Sequence, residues 1–94
     1  VQIRWTKGAS QNLEHIEEYI AQDNPIAAID TVLKVIETVE LLVEHPAMGR
    51  HGRVVGTREL VIANTPYIVP YRVKGSCIEI LRVLHGAMQW PENF

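Results

Sequence analysis

The chain has 94 residues, a formal net charge of −2 and a single cysteine, Cys77. One domain spanning residues 1–94 is the expectation from that length, because domains typically run to about 100–150 residues. With 47% hydrophobic and 21% charged residues the chain is too apolar for disorder. A lone thiol cannot staple a secreted mini-protein, no apolar run nears the roughly 18 residues of a membrane span, and no signal-like pattern opens the chain, so a reducing cytoplasm is the expected setting. The net charge hides a split: residues 1–47 carry eight acids against three bases, and residues 48–94 carry six bases against three acids. The overall acidity argues against a strongly basic nucleic-acid binder, while the basic half leaves room for a modest positive surface.

Residues 2–6 alternate and predict a short strand. Ser10 is a good N-cap for the helix that follows, in which Leu13, Ile16 and Ile20 recur on one face and Glu14, Glu17 and Glu18 on the other, ending near Gln22. Asn24-Pro25 restarts a helix, with a capping residue before proline at the first helical position. Ile26, Ile29, Val32, Leu33, Ile36, Val39 and Val43 carry an apolar stripe to about Glu44, widened by Val35, Leu41 and Leu42. The short link predicts an antiparallel helical hairpin. The stripe's width, with Ala27 and Ala28 permitting close approach, would suit a second copy of the chain, a homodimer, as readily as another partner.

His45-Pro46 stops the second helix, and a Gly- and Arg-rich loop runs to Gly56, its glycines expected to serve turns. Three strand-like runs follow: Arg58 to Ala63, Tyr67 to Val73 and Cys77 to Leu84, with turns at Asn64-Thr65-Pro66 and Lys74-Gly75. The predicted fold is α+β: an antiparallel sheet in β-α-α-β-β-β order with a helical hairpin packed on one face. Pro70 falls inside a strand, where it cannot donate a ladder hydrogen bond, so an unpaired gap, a bulge or an edge is required there.

The element order, the HPxxG loop at residues 45–49, the run PYIVPYRV at 66–73 and EILRVLH at 79–85 resemble the RelE/ParE superfamily of bacterial toxins. The resemblance implies the toxin of a type II toxin–antitoxin module of the plasmid-stabilisation kind, neutralised by a cognate antitoxin that folds on binding, with no cofactor. RelE-like members cut mRNA on the ribosome; ParE-like members poison DNA gyrase. Cleavage needs a base for the 2′-OH, cations for the phosphorane and an acid for the leaving oxygen. Where several of the family's nucleases carry arginine, three positions before Tyr71, this chain has Ile68. The Lys-x-Lys pair of RelE-type nucleases falls on Glu59 and Val61. These departures favour the ParE branch and a gyrase inhibitor that is not an enzyme; the alternatives are a ribosome-dependent mRNA endoribonuclease and a non-toxic homologue that only binds an antitoxin.

For a nuclease, the candidate catalytic residues are His85, matching a functional histidine of some members, with Arg58 and Arg82. For a partner surface, the candidates are Arg50, Arg53, Arg72 and Trp90. Arg50 and Arg53 stand in the loop as the bases expected to be free. With a two-residue turn at Lys74-Gly75, Arg72 faces Cys77 and lies diagonal to Glu79, and Arg82 faces Tyr67, where it could stack on the ring. Trp90 is expected to fold back over the sheet. His45, His51 and His85 lack a companion carboxylate or thiol at ligand spacing, so no metal is expected, and HGRVVG lacks the lysine of a phosphate loop.

Overall fold

A computed structural model describes residues 1–94. The chain runs β1 (Gln2–Trp5), α1 (Lys7–Ala21), α2 (Pro25–Glu40), a 3₁₀ turn (Leu41–Val43), β2 (Arg50–His51), β3 (Arg58–Val61), β4 (Tyr67–Lys74), β5 (Cys77–Ile80) and β6 (Leu84–His85). The helices form a hairpin packed on one face of a six-stranded sheet ordered β1-β5-β4-β3-β2, with β6 pairing β4 beyond the end of β5. The α+β fold is as expected. The sheet is antiparallel except at β1, which runs parallel to β5 because the helical hairpin and three strands intervene between them. No helix is long and apolar enough to cross a membrane.

Both helix starts follow from capping. Asn24 caps α2 as expected, its side chain accepting from the Ala27 amide at 3.1 Å. The first helix is capped by Thr6 rather than Ser10, four residues earlier than expected. Thr6 Oγ1 accepts from the Ala9 amide at 3.2 Å and donates to the Ile80 carbonyl at 2.8 Å, so one hydroxyl ties the helix start to β5. Gly8 then lies inside the first turn, where a Cβ would meet the Arg82 guanidinium.

The core lies between the hairpin and the sheet: Ala9, Val35, Val39 and Leu42 pack against Leu60, Ile62, Val69, Tyr71, Ile78 and Ile80. This corrects the expected stripe on α2. The buried positions are Ala28, Val35, Val39 and Leu42, whereas Ile26, Ile29, Leu33 and Ile36 are 73%, 54%, 48% and 37% exposed. The helix is apolar on two faces, and only one can meet the sheet.

The Cys77–Leu84 run is two strands, and Pro70 explains the break. Pro70 sits opposite Glu59 on the β3 side at a position where ladder bonds are not exchanged, so its nitrogen faces β5. There the Leu81 amide donates to the Pro70 carbonyl at 2.9 Å, but Pro70 has no N–H to return. The stranded Leu81 carbonyl accepts instead from Arg82 Nη1 at 2.7 Å and shares, at 3.1 Å, the single Thr6 hydroxyl proton with the Ile80 carbonyl. The Val83 amide, also freed from the ladder, donates to Asn12 Oδ1 at 3.1 Å. The chain thus leaves β4 at Leu81 and rejoins it as β6.

Tyr71 is fully buried. Its hydroxyl donates to the Pro46 carbonyl at 2.8 Å and accepts from the Gly49 amide at 2.9 Å, which pins the loop after α2 to the sheet. Burial raises the Tyr71 pKa above its ordinary 10.0, opposed by the Gly49 hydrogen bond and the nearby Arg58 charge. Tyr67 is raised by burial and by Tyr19. Because the unfolded chain releases these protons first, stability is unaffected below about pH 10 and falls as pH rises toward the folded values. Thermal melts across this range should show that alkaline loss, and Tyr71→Phe should make it shallower.

Candidate functional site

The sheet face away from the helices carries Glu59, Val61 and Ile68 together with Arg72 and Glu79. Two buried carboxylates dominate it. On β3, Glu59 Oε1 accepts from Arg50 Nη2 at 3.1 Å, and Oε2 accepts from the Arg53 amide at 2.7 Å and lies 3.7 Å from Arg53 Nε. Glu79 on β5 takes Arg72 Nε of β4 at 3.2 Å and an Arg4 guanidinium nitrogen of β1 on its other side. The register sets the second cluster: Arg4, Glu79 and Arg72 are directly paired across three adjacent strands.

Arg50 and Arg53 are therefore not free bases. The loop brings both onto Glu59, with Arg50 directly opposite it across the β2–β3 pair. Arg72 pairs with Glu79 directly and not on a diagonal, since the turn is Gly75-Ser76, with Lys74 opposite Cys77 and Gly75 at φ +57°. The shift grows to three residues where the chain breaks between β5 and β6, which takes Arg82 away from Tyr67. His85 lies opposite Tyr67 instead, with ring centroids 5.8 Å apart and nearly perpendicular. Arg82 lies beside Gly8 and 6.0 Å from the Phe94 ring.

Ile68, in the position of a nuclease arginine, is buried, whereas Val61 is half exposed. Trp90 does fold back over the sheet: its indole N–H donates to the His85 carbonyl at 3.1 Å and the Arg53 guanidinium stacks 3.8 Å from the ring centroid. Of the partner candidates, Arg50, Arg53 and Trp90 thus form one cluster around Glu59, and Arg72 belongs to the other.

The nuclease candidates are not brought together. His85 Nδ1 accepts from the Ala87 amide at 3.1 Å, and the ring lines a cleft of about 460 Å³ with His15, Tyr19, Tyr67 and Met88 beside α1. Arg58 pairs with Tyr71, four residues along β4 from His85's partner Tyr67, which is roughly 13 Å of strand. Arg58 Nη1 donates to the Gly49 carbonyl at 2.8 Å and the Ala47 carbonyl at 3.3 Å. Arg58 and Arg82 share one property: they are the two arginines with no carboxylate partner, since the ion pairs engage Arg4, Arg50, Arg53 and Arg72. The buried carboxylate clusters were not foreseen. Only the Arg72–Glu79 neighbourhood carried a signal, through strand alternation.

Comparison with known proteins agrees with this architecture. The family described as the ParE toxin of type II toxin–antitoxin systems, parDE, matches residues 3–90. The protein Y4kP of Sinorhizobium fredii is 48% identical over 90 residues, covering 96% of this chain and 93% of its own. Toxin RelE2 of Caulobacter vibrioides is 35% identical over 86 residues, covering 92% and 96%. A solved chain from the chromosomal ParDE TA system of P. aeruginosa shares the fold with a TM-score of 0.81 at 33% identity, over 90% of this chain and 95% of that one. The chain belongs to the ParE toxin family of type II toxin–antitoxin systems.

Proposed function

We propose that this toxin inhibits DNA gyrase stoichiometrically in the cytoplasm, through protein contact and without chemistry of its own, and that a cognate antitoxin silences it. The observation that carries this reading is the neutralised sheet face. Glu59 and Glu79 engage every arginine on that face, Ile68 and Val61 occupy cation positions of the nuclease branch, and His85 stands apart from Arg58. A phosphorane needs cations preorganised around one point, and this arrangement offers none there. Residues 1–94 act in this reading as a single toxin domain. The outward stripe of Ile26, Ile29, Leu33 and Ile36 supplies the apolar area that an antitoxin would cover.

The test is a side-by-side assay of purified protein on gyrase supercoiling and on mRNA in translating ribosomes. Lost supercoiling with accumulated cleaved DNA and intact mRNA is the expected result; ribosomal mRNA cleavage with untouched supercoiling would overturn it. A second expectation concerns His85→Ala. Growth arrest on expression should persist undiminished, whereas an endoribonuclease relying on this imidazole would lose it.

A further inference from the structure

At the end of the sheet opposite His85, β4 continues to Lys74 while β3 begins only at Arg58, opposite Tyr71. The overhang leaves a cleft of about 280 Å³ between β4 and the loop before β3, lined by His51, Gly56, Thr57, Arg58, Arg72 and Val73. Two of these residues, His51 and Arg58, are basic and lie on one face of the sheet, whereas Arg72 lies on the other, in its ion pair with Glu79. His51 and Arg58 are direct cross-strand partners, and no acid reaches either of them.

Arg58 is also preorganised. Its Nη1 is spent on the Gly49 and Ala47 carbonyls, which fixes the guanidinium plane, while Nε and Nη2 make no bond within the chain. The His51 side chain is exposed and makes no hydrogen bond, while Arg72, on the opposite face of β4, is held by Glu79. We propose that this cleft is a binding site for a phosphate group, with the Arg58 fork on two oxygens and His51 beside a third. Two adjacent guanidinium N–H groups match two oxygens of a tetrahedral oxyanion, and an imidazole N–H of His51 on the same face can meet a third oxygen, which a planar carboxylate lacks.

The test is a titration of the ¹⁵N-labelled full chain with sodium phosphate at constant ionic strength, followed by amide shifts. Saturable shifts confined to residues near His51, Gly56, Thr57 and Val73 are expected, with acetate and chloride producing much weaker ones. Arg58→Lys should weaken the affinity about tenfold, the loss of one charge-assisted hydrogen bond. Because Arg58 also holds the neighbouring loop, His51→Gln, at an exposed position with no bond within the chain, is the fold-safe variant and should weaken it several-fold. A dithymidine carrying one phosphodiester then identifies the source: shifts of the same amides assign the site to a nucleic-acid backbone, and shifts with inorganic phosphate alone assign it to a free dianion. Shifts that never saturate, that acetate matches, or that both variants leave unchanged would overturn the proposal.

Discussion

Replacing Arg50 and Arg53 together by alanine should destabilise the protein by about 3 kcal/mol, because it leaves a buried carboxylate without its cations. For a chain of this size that is a fall in melting temperature of roughly 15 °C. The Glu59 side chain is 3% exposed, while its partners Arg50 and Arg53 are 55% and 48% exposed. The asymmetry decides which half of the cluster matters more. Freed guanidinium groups return to water, but a freed Glu59 cannot. It would retain only the Arg53 amide at 2.7 Å. Glu59→Gln keeps an acceptor for that amide and removes the buried charge, so it should cost only about 1 kcal/mol. Thermal unfolding followed by circular dichroism compares the two, and equal losses would show that the arginines contribute nothing beyond exposed surface pairs.

What the sequence made legible were the features written in local pattern. Asn24-Pro25 starts α2, the alternating runs become β3, β4 and β5, and the hairpin packs on the sheet. Register was not legible, for a definite reason. Moving the turn from Lys74-Gly75 to Gly75-Ser76 shifts every partner by two residues, and a two-residue shift keeps each side chain on its face. The hydrophobic pattern therefore fits both turns, while Arg72 gains or loses Glu79 as a direct partner. Likewise α2 presents apolar residues on two faces, and only the position of the sheet selects Val35 and Val39 over Ile29 and Leu33. Pro70 is a conflict visible in the sequence, but its resolution depends on Thr6 and Asn12, more than 55 residues away in the chain. The Glu59 cluster is assembled by loop closure, which no periodicity records.

Gly49→Ala, in the loop between α2 and β3, should be strongly damaging, at about 3 kcal/mol. Gly49, Gly52 and Gly56 were all expected to serve turns, yet of the three only Gly56 has a positive φ, +80°. Gly49 is needed for close approach. A Cβ there would lie 2.6 Å from Tyr71 Cε1, 2.8 Å from its hydroxyl and 3.0 Å from the Glu59 carbonyl oxygen. The Tyr71 ring cannot retreat, because it is fully buried and its hydroxyl is held by Pro46 and by Gly49 itself. Gly56→Ala, by contrast, meets nothing within 4 Å and carries only the strain of a left-handed residue, about 1 kcal/mol. Tyr71→Phe removes the hydroxyl but not Cε1, and it leaves the Gly49 amide unpaired, so it should not rescue Gly49→Ala. The melting temperatures of the two single variants and the double variant check this. Recovery in the double variant would show that the hydroxyl alone makes the contact. Coupling should extend further along the loop: Arg50 follows Gly49 directly, so a displacement at Gly49 also draws Arg50 off Glu59, and Gly49→Ala combined with Arg50→Ala should cost less than the two changes summed.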